Sequence, residues 1–419
     1  MTTPLVRPFA GLRPAPELAS EVAAPPYDVV SSDEARALAE GHPLSFLHIS
    51  KPEIDLPSGT DVHAPEVYAK GAENMERMIA DGVIRRDGQP CYYVYRIQMG
   101  DHVQTGIVGG GSVAAYDDNR IRRHEFTRPE KEDDRVNQIE AVNAQTGPVF
   151  TVHHPDAGID GVVNKMTQTK PVYEVDLPGT HHSTHHSLWV VDDAADIGAI
   201  SDAFDAMDVI YIADGHHRSA AASRVAVSRA AKDSASNGDQ PYDYFLIVSF
   251  PTDAVQIFDY NRVVTDLNGL SVAELLDRLQ ESFDVEAQGT EPYRPEGIHT
   301  LSMYLEGTWY RLTANDSTFD DLDPIRALDV TVLSECVLAP IFNITDLRKD
   351  KRIDFVGGIR GLDELSRRVD SGEMAVAFAL HEVSMEQLIS IADTGNIMPP
   401  KTTWFEPKLR SGLVVHKIV

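Results

Sequence analysis

The chain has 419 residues, 42% hydrophobic and 24% charged, with 65 acidic against 37 basic side chains and a formal net charge of −28. That balance excludes a nucleic-acid or anionic-membrane surface as the main partner, because both need a basic face, while a local basic pocket for a nucleotide stays open. Two distant cysteines, Cys91 and Cys336, exclude a disulfide framework and a Cys/His zinc site.

The amino terminus carries no apolar signal core, and no run of about 18 apolar residues is available to span a membrane. A cytoplasmic location is therefore expected. In chain order, Pro25 and Pro26 stiffen the segment 24–30 ahead of Tyr27 and Asp28. Ser31 with Glu34 reads as a capping box opening a short helix that Gly41 stops. The stretch 45–53 then brings His48, Lys51 and Glu53; Asp28 and His48 are candidate contacts for a small substrate. Pro65 opens a longer helix with Val67, Gly71, Met75, Met78 and Ile79 on one face and Gly82 past its end. Residues 91–98 and 103–109 read as antiparallel strands around Gly100-Asp101. The triple glycine 109–111 has neither dinucleotide-fold nor Walker-loop spacing.

A polar block follows from Arg120 to Asn143, with Arg122, Arg123, His124, Glu125, Thr127, Arg128, Lys131, Asp133, Asp134 and Arg135 alternating in sign. A solvated, salt-bridged helix is the ordinary fate of such a run. Here Pro129 is expected to interrupt the helix, and His124-Glu125 beside Thr127 suits a proton acceptor. A strand is expected at 149–153, a solvent-facing histidine loop at 180–187, a strand at 188–191 and a helix at 194–207.

The densest chemistry lies in DVIYIADGHHRSAAASR, residues 208–224. Val209 to Ile212 read as a buried strand, and the alanine-rich stretch from Ser219 as a helix. Between them, Asp214-Gly215-His216-His217-Arg218 occupies the corner. A helix start presents unpaired N–H groups and positive potential to an anion, Gly215 lets it approach, and Arg218 offers a planar fork of donors. Asp214 can hold a divalent cation or accept a proton.

Strands at 244–250 and 255–258 close a first region, 1–265, and a second is expected over 266–419. The second carries an amphipathic helix capped by Ser271 and Glu274, a hairpin turning at Glu306-Gly307, an apolar helix near 330–342, a strand at 374–380 and a helix capped by Ser384 and Gln387. Its tail, MPPKTTWFEPK, stiffens two lysines and two threonines with prolines; Lys401 and Thr402 are candidate phosphate contacts, and the tail is expected to return to the site.

RPFAGLRP, APPYDVV, SFLH with KPEIDLP, RRHEFTRPEKEDDR, ADGHHR, and MPPKTTWFEPKL with SGLVV run in order from Arg7 to Val415. Through them the chain resembles the bacterial and archaeal family labelled domain of unknown function 1015, some members of which carry Lys where this chain has Phe126. ADGHHR is also similar to the signature corner of the ParB/sulfiredoxin-like superfamily, and to the DGHHR motif of free-serine kinases. The resemblance implies a mixed α/β (α+β) protein with a ParB/sulfiredoxin-like core and N- and C-terminal elaborations. It implies nucleotide-dependent phosphoryl transfer to a small hydroxyl acceptor, free L-serine among the candidates, with ATP or ADP and Mg2+ as cofactors. In that scheme Gly215, His216, Arg218, Arg123, Arg135, Lys401 and Thr402 hold phosphate. His124, Glu125, Asp214 and His217 act in catalysis, Asp214 also on Mg2+, and Asp28, His48 and Thr127 meet the acceptor. The expected partners are thus a nucleotide and a small molecule, with no nucleic acid and no membrane; a homodimer is a compatible assembly. Two other classes fit the same residues: a nucleotide-binding regulatory module without turnover, and a hydrolase with zinc or manganese among His124, Glu125, Asp214, His216 and His217.

Overall fold

In the computed structural model, residues 4–179 and 182–419 are described. The fold is mixed α/β. The chain divides into two compact units: residues up to Val255 with Pro407–Val419, and Gln256–Glu406. The division falls ten residues before the break expected after 265, so the strand Tyr260–Val264 belongs to the second unit, and the last thirteen residues rejoin the first.

Among the described residues the first unit carries a nine-stranded mixed sheet. Its order is Ile121–Arg122, Ile210–Asp214, Val149–His153, Tyr244–Pro251, His102–Ser112, Tyr92–Met99, Thr184–Val191 and Tyr173–Leu177, with Val6–Arg7 added to His102–Ser112. The hairpin around Gly100 is antiparallel, Tyr93 facing Val108, while Ile247 pairs Val149 in parallel. Helices Ala157–Thr167, Ala194–Ala206 and His216–Ala230 bury Ile159, Val162, Ile200, Phe204, Ala221, Ala222 and Val225 in one cluster with Ile107, Ile210, Ile212 and Ile247. A second cluster joins Phe46, Leu47, Ile49, Met75, Met78, Val142 and Val415, so the tail is packed into the amino-terminal elements. Burying one such Phe or Leu contributes about 1.5–3 kcal/mol.

The polar block departs from expectation. Pro129 starts a helix, Pro129–Val142, instead of interrupting one, because a proline at the first helical position gives up only an N–H with no partner there. The helix lies against His216–Ala230, joined by Arg224 to Asp133 at 2.6 Å and to Glu132 at 3.3 Å. The histidine loop is shorter than expected. Thr180 and His181 lie outside the described residues, while Thr184–Val191 is a strand whose His186 is buried between Tyr95 and Thr184 oxygens, both at 2.7 Å.

The second unit, among its described residues, holds a six-stranded antiparallel sheet ordered Phe283–Gly289, Thr308–Ala314, Thr300–Leu305, Val376–Ala379, Tyr260–Val264 and Ile353–Gly357. A short ribbon pairs Gln256–Phe258 with Trp404–Glu406. All three anticipated capping boxes form, at Ser31, Ser271 and Ser384. The apolar helix near 330–342 is short: Asp329–Leu333 is α-helical and Ser334–Leu338 widens into a π turn. No helix among the described residues is long and apolar enough to cross a membrane.

Candidate functional site

The strand Ile210–Asp214 pairs with Val149–His153 until its register slips between Ile212 and Asp214. Such a bulge bends the strand and re-aims the next side chain, here Asp214. Gly215 then takes φ +103°, a backbone that L side chains rarely adopt. An added Cβ there would lie 3.2 Å from Arg218 Cζ, Arg218 Nε and Val149 Cα. The corner is thus a single glycine. His216, His217 and Arg218 belong to the first turn of the helix His216–Ala230, where the sequence alone left them in a loop. The main-chain N–H groups of Arg218 and Ser219 return to Gly215 O, while those of His216 and His217 have no main-chain acceptor among the described residues.

Arg218 lies folded back under this turn. Its side chain is 12% exposed, its Nη1 donates to Pro148 O, and its Nη2 is 3.6 Å from Asp28 and 3.7 Å from Asp214. Burial opposes its charge, but Asp28, Asp214 and Tyr27 outweigh that and raise its pKa above the ordinary arginine value. Asp214 accepts a hydrogen bond from Lys408 Nζ at 3.0 Å. Burial would favour the neutral acid, yet Lys408 and Arg218 hold the carboxyl well below its usual range. Lys408 arrives on the rejoined tail. Ser411 pairs in both directions with Ala24 (2.9 and 3.0 Å), which fixes the proline-stiffened segment carrying Asp28.

The loop 123–128 closes the other side. The His124 N–H donates to His216 Nε2 at 3.4 Å, the two rings meet edge-on at 4.6 Å, and the Arg128 N–H donates to His217 Nε2 at 3.1 Å. Acceptance at Nε2 places the proton of each neutral ring on Nδ1. His216 Nδ1 faces Glu125 Oε2 at 3.6 Å. Burial, then the neighbouring His124, pushes His216 well below an ordinary histidine; burial also lowers His217, and takes His124 down to about 4. The buried His124 Nδ1 has no hydrogen-bond partner among the described residues.

The structure therefore brings together Asp28, His124, Glu125, Asp214, Gly215, His216, His217 and Arg218. Other candidates are placed differently. Arg135 grips Asp134 at 3.0 Å and lies 3.7 Å over the Tyr27 ring, so it braces the Asp28 segment and its charge is already answered. The Thr127 hydroxyl donates to Glu132, and Arg123 lies on Tyr116, 5.5 Å from the ring centroid. Both nitrogens of His48 are engaged, with Asp55 at 2.7 Å and His42 O at 3.2 Å. Lys401 and Thr402 belong to the second unit, where Lys401 Nζ lies over Tyr260 and the Thr402 hydroxyl donates to Pro399 O.

Both tail lysines read as charges for a phosphate, with Lys401 singled out; the structure instead places Lys408 on Asp214. For metals, the donor set does not fit. Among the described residues no group of three or more His, Cys, Asp or Glu side chains converges. The Nε2 atoms of His216 and His217 face N–H groups, and Asp214 faces two cations. Among the described residues these side chains thus form no preformed zinc, manganese or Mg2+ site.

The chain belongs to the protein family of unknown function DUF1015, whose family model matches residues 6–331. No curated protein matches it. Similar solved structures include a conserved hypothetical protein from Pyrococcus furiosus, 13% identical, covering 68% of this chain and 87% of that one at a TM-score of 0.34. A free serine kinase in complex with AMP is 12% identical, with coverages of 68% and 84% and a TM-score of 0.36. SbnI with a C-terminal truncation, from Staphylococcus aureus, is 11% identical, with coverages of 72% and 84% and a TM-score of 0.35. Superpositions this loose transfer no activity to the present chain.

Proposed function

We propose that the Gly215 corner binds a nucleotide, ATP or ADP, by its phosphates and passes a phosphoryl group to a small hydroxyl acceptor, with free L-serine the first to test. The observation that carries this reading is Arg218, a largely enclosed, charged guanidinium beneath a helix start whose first two N–H groups lack main-chain acceptors among the described residues. Its two carboxylate neighbours stand at 3.6 and 3.7 Å, looser than direct hydrogen bonds, which suits a group that is to meet a phosphate.

Phosphoryl transfer is chiefly positioning and neutralisation of charge. Arg218 and the N–H groups of His216 and His217 hold phosphate oxygens, and the His217 Nδ1–H adds a neutral donor. Lys408 offsets the Asp214 carboxylate, which would otherwise repel the incoming anion, and Asp214 in turn keeps Arg218 in place. Glu125, partly exposed, takes the proton from the acceptor hydroxyl as the new O–P bond forms and the nucleotide leaves with the bonding pair. His216 is a positioning residue, its Nδ1–H directing Glu125. His124, with its ring almost wholly enclosed, supports His216 and does not meet the acceptor. Mg2+ enters only as the counter-ion carried by the nucleotide phosphates.

Phosphorus NMR of the protein with ATP or ADP and L-serine tests this. A new phosphomonoester resonance supports transfer. Nucleotide binding without any such product, over a panel of small alcohols, leaves a binding module and removes the kinase reading.

A further inference from the structure

Resting on the phosphate-binding reading above, we infer that Phe126 is the stacking platform for the nucleobase of the ligand, making the site one for nucleoside di- or triphosphates and not for simple phosphate esters. The loop carrying it is tied to the corner at both ends, through the His124 N–H on His216 and the Arg128 N–H on His217. Phe126 lies midway, two residues from each tie, and consecutive Cα atoms are about 3.8 Å apart. Its backbone is thus held within about 7.6 Å of both tied residues. The residues the loop is tied to, His216 and His217, open the helix whose first N–H groups are assigned to the phosphates.

Phe126 is 62% exposed, while its neighbours on the loop are turned inward or engaged: His124 is buried, Glu125 faces His216, and the Thr127 hydroxyl donates to Glu132. A phenylalanine left largely in water contributes little to folding at that position, and a planar base laid on it would bury the remaining apolar surface. Stacking on an aromatic face tolerates any base, because every base has a π face. Adenine and guanine nucleotides should therefore bind alike, with the phosphates setting the position.

Calorimetric titration of the full chain with ADP, GDP and inorganic pyrophosphate separates the parts. Phe126→Ala should weaken ADP and GDP about tenfold or more and leave pyrophosphate unchanged, and Phe126→Trp should restore nucleotide affinity. Equal ADP affinity in wild type and Phe126→Ala overturns the stacking role while leaving the phosphate site standing. An equal loss of pyrophosphate and ADP shows a distorted loop and also overturns it. A wild-type protein that binds none of the three removes both readings.

Discussion

Substituting Gly215 by alanine tests how the corner is built. At φ +103° an L residue costs about 1–2 kcal/mol in backbone conformation alone. The new methyl group would also sit 3.2 Å from Val149 Cα and from Arg218 Cζ and Nε. Val149 is in the middle of the sheet and cannot retreat, so Arg218 must, which draws Nη1 from Pro148 O and Nη2 from Asp28. Losing one charged hydrogen bond to a ligand costs about 1.5–3 kcal/mol, equivalent to about 10- to 150-fold in affinity. Gly100→Ala is the control, since that glycine has φ +59° and nothing within 4 Å of an added Cβ. Urea unfolding should show both variants destabilised, Gly215→Ala by about 1 kcal/mol more for its crowding. Calorimetry should show weakened ADP binding for Gly215→Ala alone. If the two variants unfold alike and bind ADP equally well, the corner does not depend on the close approach of Arg218.

Glu125→Gln should lower kcat by about 10²–10⁴-fold, the usual contribution of a positioned base, with ADP affinity unchanged in titration; loss of affinity instead would make Glu125 a binding group. Lys408→Ala should weaken ADP about fivefold, near the upper range for a partly exposed ion pair, and Asp214→Asn in the same chain should recover most of it, since Arg218 keeps Asp28 and Pro148 O. No recovery would mean that Asp214 does not act through its charge. Acid should destabilise the fold early. Burial depresses His124, His153 and His416 to about 4, so the unfolded chain binds protons that the folded chain does not as pH falls from about 6.5 to about 4. Stability present above pH 6.5 is lost across that window, by up to about 1.4 kcal/mol per pH unit for each ring. A melting temperature flat from pH 7 to pH 5 would contradict those buried, neutral rings.

Much of this was legible because local chemistry and tertiary context agree. The strand 149–153, the helix opened by Pro65 and the three capping boxes follow from a short apolar run, a proline at a helix start and a serine three residues before Glu or Gln, all short-range signals. The corner was visible as strand, glycine and alanine-rich helix, but its extent was not. The positive φ of Gly215, where a side chain would crowd Val149, lets the helix begin at His216 and so takes in His216, His217 and Arg218. Pro129 was misjudged because a proline reads equally as breaker or starter until the preceding residue is seen to be extended, as Arg128 is. Charge partners were hidden for another reason: Asp214 and Lys408 are 194 positions apart, and no periodicity encodes a tail that returns. His48 and Arg135 looked suited to a ligand because composition names donors without showing Asp55 or Asp134 beside them.

The most direct test is titration of ADP into wild-type protein and into Arg218→Ala, with folding of both verified by thermal melting. The account predicts saturable binding by the wild type and none measurable by the variant. ADP bound equally by both would contradict the assignment of the phosphate to this guanidinium, and with it the reaction built on that contact.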